Sequence, residues 1–212
     1  MNTKGDLKIY QENFVSIVEI NRAPNNHFDY QLIGDIADIY EELDTNKECR
    51  AIVLCSEGKH FCAGANFDQD RDMHDKKDPY EELYKQAVRL FKTKKPVIAA
   101  VQGGAIGGGL GLALSADFRV GCNESRFSAN FAKLGFHQGF GTSVTLPRVI
   151  GIQHSSDMLL TARRVKGDEA MKMGLIDKLV DIKEVRSAAI SMANGITNSA
   201  PLAVESIRAT LR

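Results

Sequence analysis

A glycine-rich stretch between an apolar run and a second apolar segment has the clearest chemical potential in this sequence. Lys95 to Asp117 reads KPVIAAVQGGAIGGGLGLALSAD. Its apolar start after Pro96 predicts a buried strand, and the LGLALSA segment after the glycines predicts a helix. Consecutive glycines at such a junction expose backbone N–H groups at a helix N-terminus, which attracts negative charge. The stretch therefore predicts a place that binds or stabilises an anion.

The same glycines do not match the two common nucleotide-binding loops. No Gly-Lys-Ser/Thr closes the stretch as in a Walker loop, and no GxGxxG spacing with a later acidic partner fits a dinucleotide site. A purely structural role is a turn in which glycine only permits close packing of the helix on the strand. The stretch taken alone leaves the anion site and the packing turn equally open.

A second loop of small residues favours a catalytic interpretation. His60 to Phe67 reads HFCAGANF and follows the predicted strand Arg50 to Ser56. Two such loops at the ends of parallel strands can each direct one N–H at a single oxygen, which is how enzymes hold a developing oxyanion. Ala65 and Gly108 are the predicted donors, since Gly108 follows Gly107 at the start of the helix.

Composition excludes several classes of function. The 212 residues carry 27 basic and 27 acidic side chains, so no net field attracts nucleic acid or an anionic membrane. No apolar run approaches the ~20 residues of a membrane span. The four cysteines have no CxxC or Cys/His ligand spacing, so no metal site is expected, and they are interpreted as small buried side chains. We expect a cytoplasmic protein that binds neither nucleic acid nor membrane.

The elements around these loops predict a layered α/β fold. Phe14 to Ile20 and Arg50 to Ser56 read as strands, and Phe28 to Leu43 between them reads as an amphipathic helix. A strand–helix–strand order implies a right-handed crossover between parallel strands. A charged segment at 68–78 is predicted to be an exposed loop, followed by a helix from Tyr80 to Phe91. Later helices are predicted at Thr142 to Ile150, His154 to Thr161, Asp168 to Met173, Glu184 to Asn198 and Pro201 to Leu211.

Five segments together resemble the crotonase superfamily, also called the enoyl-CoA hydratase/isomerase family. They are FCAGANF at 61–67, the glycine stretch, FSANFAKLGF at 127–136, GxGTxxxLPRVIG at 139–151 and LLTARRVKGDEAMKMGLIDKLVD at 159–181. They keep the family's order and spacing from about residue 14 onward. The resemblance implies a spiral of repeated ββα units over residues 1–195, with a helical C-terminal region from 196 to 212.

The resemblance also implies a ligand, an acyl-CoA thioester, with coenzyme A as part of the substrate and no other cofactor. Its carbonyl oxygen would lie between the N–H groups of Ala65 and Gly108, and its adenosine end near the turn after the first strands. The residues predicted to contact the acyl-CoA are Arg22, Ala23, Asn25, Ala63, Asn66, Phe67, Gly107, Gly111, Asn130, Phe131 and Gly139. A homotrimer or hexamer is implied. Relatives usually continue beyond the segment that matches 201–212, so this chain either lacks that cover naturally or is truncated, which weakens the expectation of a standard hexamer.

The sequence departs from the family where protons are moved. Hydratases use two glutamates, and this chain has Gly111 and Phe131 at those positions. Some isomerase and dehalogenase relatives use an aspartate where this chain has Gly139. Hydration by a glutamate pair is therefore not expected. His137 is the speculative acid or base, with a loop histidine bonded to backbone as the alternative.

Two further polar residues of these segments have both a functional and a structural interpretation. Asn130 adjoins the second missing glutamate and could orient a carbonyl or a water, or else cap a helix. Asn66 could contact the ligand or only close its turn.

Three hypotheses of function follow. The favoured one is an enzyme of acyl-CoA, and thus of fatty acid, metabolism that stabilises a thioester enolate. Its reaction would be that of an isomerase, a decarboxylating lyase or a thioester hydrolase. A second is a non-catalytic relative that binds acyl-CoA or a protein partner. A third is an unrelated α/β binding module whose glycines serve packing alone.

Overall fold

The computed structural model describes residues 2–65 and 81–212. Within these ranges the strands are β1 (Asn2–Lys4), β2 (Leu7–Glu12), β3 (Val15–Ile20), β4 (Ala51–Ser56), β5 (Val97–Val101), β6 (Gly104–Ile106), β7 (Phe118–Gly121), β8 (Arg126–Ser128), β9 (Val165–Lys166) and β10 (Lys178–Leu179). The α-helices are α1 (Tyr30–Thr45), α2 (Glu81–Phe91), α3 (Gly108–Ser115), α4 (Thr142–Thr161), α5 (Gly167–Lys172), α6 (Val185–Thr197) and α7 (Pro201–Leu211). The predicted loop at 68–78, the residues Asn66 and Phe67, and the predicted helix start at Tyr80 lie outside the described residues.

Two sheets organise the fold. The larger has the strand order β1-β2-β3-β4-β5-β7-β10. Its first three strands are antiparallel, and β3, β4, β5, β7 and β10 run parallel. In the smaller sheet β6 pairs parallel with β8, and β8 pairs antiparallel with β9.

The chain alternates between these sheets in a repeating unit. It leaves β5 in the large sheet, forms β6 in the small sheet and then enters α3. The preceding unit does the same in reduced form, since Cys62 after β4 bridges Ala105 in β6 before the chain reaches α2. The prediction of an α/β fold built from ββα units is confirmed.

The parallel strands are buried on both faces, which explains their continuous apolar runs. In β4 the side chains of Ile52 and Leu54 join the core that also holds α1, α2 and α3. Val53 and Cys55 face the other side and pack under α6. Neighbouring side chains of a strand point to opposite faces. If apolar and polar residues alternated along β4, one of its two faces would bring polar side chains into an apolar layer.

Several predicted boundaries shift. Phe28, predicted to begin the first helix, instead bridges Ala65, and α1 begins after Asp29, whose carboxylate accepts the Leu32 N–H at 2.8 Å. The two helices predicted at 142–150 and 154–161 form one segment, α4, interrupted at Gly151, which has φ 74° and ψ 165°. A domain boundary after residue 195 would fall inside α6.

Helix α7 is attached to the core through ion pairs. Arg208 donates to the Asp117 carboxylate at 2.8 Å, and Lys95 lies 2.6 Å from Glu205. Asp117 in turn accepts the backbone N–H of Val97 at 2.8 Å, at the start of β5. This helix is thereby tied to the strand that leads into the glycine stretch.

Candidate active site

The two glycine-containing loops meet beside the small sheet. The Cys62 N–H donates to the Gly104 carbonyl at 3.0 Å, and the Ile106 N–H donates back to the Cys62 carbonyl at 3.0 Å. On its other side the same loop accepts the Phe28 N–H at the Gly64 carbonyl, at 3.0 Å. The loop that carries Ala65 is thus held between the segment before α1 and the strand that leads into α3.

Gly64 lets the two loops approach closely. Its φ is 101°, a conformation that residues with a side chain rarely adopt. A Cβ atom there would lie 3.0 Å from the Ile106 carbonyl oxygen and 4.0 Å from the backbone nitrogen of Gly108. The predicted donor loops are therefore neighbours in space, although the chain separates them by more than forty residues.

The N–H groups of Ala65 and Gly108 are available to a ligand. Among the described residues, neither group donates a hydrogen bond to the protein. Gly108 is the first residue of α3, where an N–H has no partner within the helix, and the positive end of the helix dipole adds to its attraction for negative charge. Gly107 makes the turn into this helix with φ 56° and ψ −118°.

A cavity of about 170 Å³ opens in front of these donors. Its described lining consists of Phe28, Ala63, Gly64, Ala65, Leu83, Tyr84, Ile106, Gly107, Gly108, Asn130, Phe131, Leu134, Phe136, His137, Gly139 and Phe140. The cavity brings together eight of the predicted site residues: Ala63, Ala65, Gly107, Gly108, Asn130, Phe131, His137 and Gly139. The lining does not include Arg22, Ala23, Asn25 or Gly111.

Asn130 and His137 are the polar side chains contributed by the segment after β8. The Asn130 amide oxygen lies 2.8 Å from where a Cβ of Gly107 would be. Its side chain forms no hydrogen bond with the described residues, and therefore does not cap the 3₁₀ turn Ala132–Leu134. The His137 side chain is exposed at the cavity wall, with Nδ1 3.0 Å from the Gln138 carbonyl oxygen. A neutral ring that donates from Nδ1 presents Nε2 as a proton acceptor.

Other side chains occupy the space at Gly111 and Gly139, two of the positions where the resemblance places a carboxylate in relatives. A Cβ at Gly111 would lie 2.5 Å from the Cβ of Phe140 and 2.9 Å from its ring. A Cβ at Gly139 would overlap the hydroxyl of Tyr84. No described lining residue is Asp or Glu, so the ionisable side chains of the described lining are Tyr84 and His137.

Sequence reasoning missed much of the cavity wall. Phe28 lies against Gly108 and pairs with Phe140, with ring centroids 5.4 Å apart. Phe140 is buried and has a φ of 53°, which is strained for a residue with a side chain. Tyr84 and Leu83 come from α2, and for Tyr84 the sequence allows a place in the acyl pocket but favours ordinary packing. The one signal that the sequence offers is that Tyr80 and Tyr84 have the spacing of a shared helix face.

Comparison with known proteins agrees with this geometry. A family model described as "Enoyl-CoA hydratase/isomerase" matches residues 10–212. This chain belongs to the enoyl-CoA hydratase/isomerase family. It is similar to the short-chain-enoyl-CoA hydratase of Clostridium acetobutylicum, with 33% identity over 199 residues that cover 92% of this chain and 76% of that protein. It is also similar to the peroxisomal Delta(3,5)-Delta(2,4)-dienoyl-CoA isomerase of Arabidopsis thaliana, with 31% identity over an alignment that covers 100% of this chain and 83% of that protein.

Solved structures show the same fold. An enoyl-CoA hydratase subunit I from Geobacillus kaustophilus superposes with a TM-score of 0.90 at 30% identity, over 97% of this chain and 80% of that one. DspI of Pseudomonas aeruginosa superposes with a TM-score of 0.91 at 26% identity, over 98% of this chain and 80% of that one. The resemblance to the crotonase superfamily is confirmed.

In this family member the turn predicted to contact coenzyme A lies next to the donor loop. The Asn25 carbonyl accepts the Ala63 N–H at 2.9 Å, while Ala23 and Asn25 have exposed side chains. Arg22 donates to the Asp29 carboxylate at 2.8 Å and to Asp6 at 2.5 Å. Burial alone would lower the pKa of Arg22, but these two carboxylates more than offset it and the pKa is raised.

Two polar side chains, the buried Asn26 and the partly exposed His60, hold this region. The Asn26 amide donates to the carbonyls of Glu57 at 2.7 Å and His60 at 2.6 Å. His60 accepts the Gly104 N–H at Nδ1, at 3.0 Å. Burial, with further contributions from the charges of Lys59, Arg164 and His27, lowers the pKa of His60, which favours the neutral ring that this bond requires.

The cysteines are packing residues, as the sequence indicated. Cys49, Cys55, Cys62 and Cys122 are buried free thiols. Burial raises the pKa of the Cys62 thiol to about 12. Cys62, which lies in the loop that carries Ala65, is therefore protonated at neutral pH and is not expected to act as a nucleophile.

Residues 2–65 and 81–212 contain neither a membrane-crossing helix nor a cluster of metal ligands. No helix in these ranges is long and apolar enough to cross a membrane. No group of three or more His, Cys, Asp or Glu side chains in them could hold a metal ion.

Proposed function

We propose that this protein binds an acyl-CoA and polarises its thioester carbonyl between the N–H groups of Ala65 and Gly108. The observation that carries the proposal is the presence of two neighbouring backbone donors without protein acceptors among the described residues, on the wall of one cavity. Such donors stabilise the negative charge that develops on the oxygen when an enolate forms. The names of the hydratase and the isomerase to which the chain is similar support a CoA thioester as the ligand.

The reaction we propose is one that needs no pair of glutamates. Since the described lining carries no carboxylate, isomerisation, decarboxylation and thioester hydrolysis fit better than hydration. Decarboxylation demands least, because carbon dioxide leaves its electron pair on the enolate and no base is needed. Apolar walls favour this step, since a carboxylate is costlier to desolvate than a delocalised enolate.

The remaining parts of the substrate are assigned by position. Arg22, Ala23, Asn25 and Ala63 would contact the adenosine end, and Asn66 and Phe67 are proposed to join them. Asn130, whose amide bonds to none of the described residues, would orient a carbonyl or a water in the cavity. Coenzyme A is part of the substrate and no other cofactor is proposed. A cytoplasmic location and a homotrimeric or hexameric assembly stay predictions.

Gly64→Ala tests the oxyanion site. The added methyl group would press on the Ile106 carbonyl beside Gly108, and losing one oxyanion donor costs about 10²–10³ in kcat. The control is Gly174→Ala, which has a similar φ of 76° but a nearest neighbour only at 3.9 Å and lies outside the cavity. Both variants place an alanine at a positive φ and so incur similar backbone strain. A thermal melt of each checks that both remain folded to the same extent.

The assay is turnover of a panel of enoyl-, malonyl- and β-keto-acyl-CoAs, beside calorimetric titration with acetyl-CoA and crotonyl-CoA. We expect turnover by the wild type and Gly174→Ala and a loss of at least about 10²-fold in Gly64→Ala. Equal turnover in all three proteins would refute the role of the two donors. An absence of binding by every CoA thioester would refute the function itself.

A second candidate is a non-catalytic relative that binds acyl-CoA or a protein partner. The absence of carboxylates from the described lining favours it, because general acid–base groups typically supply 10²–10⁴-fold of a rate. Binding of acetyl-CoA without product from any substrate of the panel would select this candidate.

A further inference from the structure

Tyr84 reaches the cavity from a different layer of the fold than the other candidate residues. It lies on α2, next to Leu83, which is buried in the core. Its hydroxyl oxygen packs against the backbone at Gly139, at the place where a side chain of residue 139 would begin. The tyrosine therefore takes the space of a residue-139 side chain and puts a phenol there.

The helix that carries Tyr84 is held in place. Arg89 at the end of α2 donates to the Asp38 carboxylate at 2.6 Å and to Glu41 at 2.7 Å, both on α1. Leu90 and Ala87 bury the same face of α2 in the core. The position of helix α2, which carries the phenol, is thus fixed by packing and ion pairs outside the cavity.

A phenol is better suited to donate a proton to a substrate than to remove one from it. With an ordinary pKa of about 10, tyrosine is protonated at neutral pH and acts as a donor more readily than as a base. A carbon that carries the negative charge of a thioester enolate is a far stronger base than a phenolate, so transfer from the phenol is downhill. An enolate held by Ala65 and Gly108 needs such a proton to become product.

We propose that Tyr84 is the catalytic residue that protonates the enolate carbon; this rests on the proposed function. The Oη–H bond breaks as the new C–H bond forms with the enolate electron pair, and the carbonyl of the thioester is restored. The phenolate that remains takes a proton from solvent, which reaches the side chain because Tyr84 is 43% exposed. A reaction that generates an enolate without a base, such as decarboxylation of a malonyl-type thioester, needs no other ionisable group.

Tyr84→Phe separates the hydroxyl from the shape of the side chain. Its matched control is Tyr30→Phe, since Tyr30 is 47% exposed at the start of α1 and does not line the cavity. The kcat and KM of both variants and the wild type are measured on malonyl-CoA first, and then on every panel substrate that the wild type converts. Calorimetric titration with acetyl-CoA reports binding independently of turnover.

We expect kcat to fall by about 10²-fold or more in Tyr84→Phe, with KM and acetyl-CoA affinity unchanged, and no change in Tyr30→Phe. An unchanged kcat, or a loss that appears equally in KM and in affinity, would show that Tyr84 only shapes the wall and would overturn its role as a donor. Either result leaves the proposed function standing if the wild type forms product. A wild type that binds acetyl-CoA without forming any product would overturn the catalytic role, and one that binds no thioester would overturn the proposed function as well.

Discussion

Substitution of Gly111 by alanine tests why the chain has no side chain at the position that the resemblance aligns with the first glutamate of the hydratases. Glycine in a helix is about 1 kcal/mol less favourable than alanine, so an unobstructed Gly111→Ala would stabilise the protein. A Cβ there would instead lie 2.5 Å from the Cβ of Phe140 and 2.9 Å from its ring. Overpacking of this kind costs about 1–3 kcal/mol. We expect the free energy of unfolding to fall by about 1 kcal/mol in total.

The second half of the test removes the obstruction. Phe140→Gly loses a buried aromatic side chain, which costs about 3–5 kcal/mol. It also relieves a non-glycine residue with φ 53°, worth about 1–2 kcal/mol. In this background Gly111→Ala meets no Phe140 side chain and should stabilise by about 1 kcal/mol. The double-mutant cycle should therefore give a coupling energy of about 2 kcal/mol, within the range of residues in contact.

The assay is urea unfolding of the four proteins of the cycle, with equal m values required for comparison. Gly195→Ala is the control, because Gly195 is exposed within α6 and a Cβ there meets no neighbour within 4 Å. We expect this control to stabilise by about 1 kcal/mol. If Gly111→Ala stabilises the wild type as Gly195→Ala does, Phe140 does not close the position and its packing is not the reason for the glycine.

Two predictions concern histidines. Because the pKa of His60 is lowered in the folded protein, the unfolded chain takes up the proton first as the pH falls, so the stability from its bond to Gly104 should decline below about pH 6.5. Thermal melts between about pH 7 and pH 5 should show a smaller decline in His60→Gln, whose amide oxygen can accept the same N–H at any pH; parallel curves would contradict this. For His137→Gln, kcat on the panel substrates should fall by about 10²–10⁴-fold if the imidazole moves a proton, and an unchanged kcat would remove His137 from the mechanism.

The elements that surround the candidate oxyanion donors follow from local sequence patterns. The strand before the glycines, the helix after them and the loop at Ala65 are each encoded by neighbouring residues, so local rules of burial and turn formation suffice. The anion site and the packing turn are compatible roles of the glycine stretch. Gly109 packs directly on the Cys62 carbonyl, as a packing turn requires, while Gly108 beside it presents an N–H that no described residue accepts.

Two side chains of the cavity region, Tyr84 and Phe140, could not be placed in this way. Tyr84 reaches Gly139 from another helix, and Phe140 closes the space at Gly111 through a strained backbone conformation. Such contacts join residues far apart in the chain, and their distances depend on how the layers pack rather than on any local pattern. The sequence by itself therefore determined the family, the α/β fold and the two candidate oxyanion donors. Only the tertiary structure decided that the rings of Phe28, Tyr84 and Phe140 line the space where a substrate would bind.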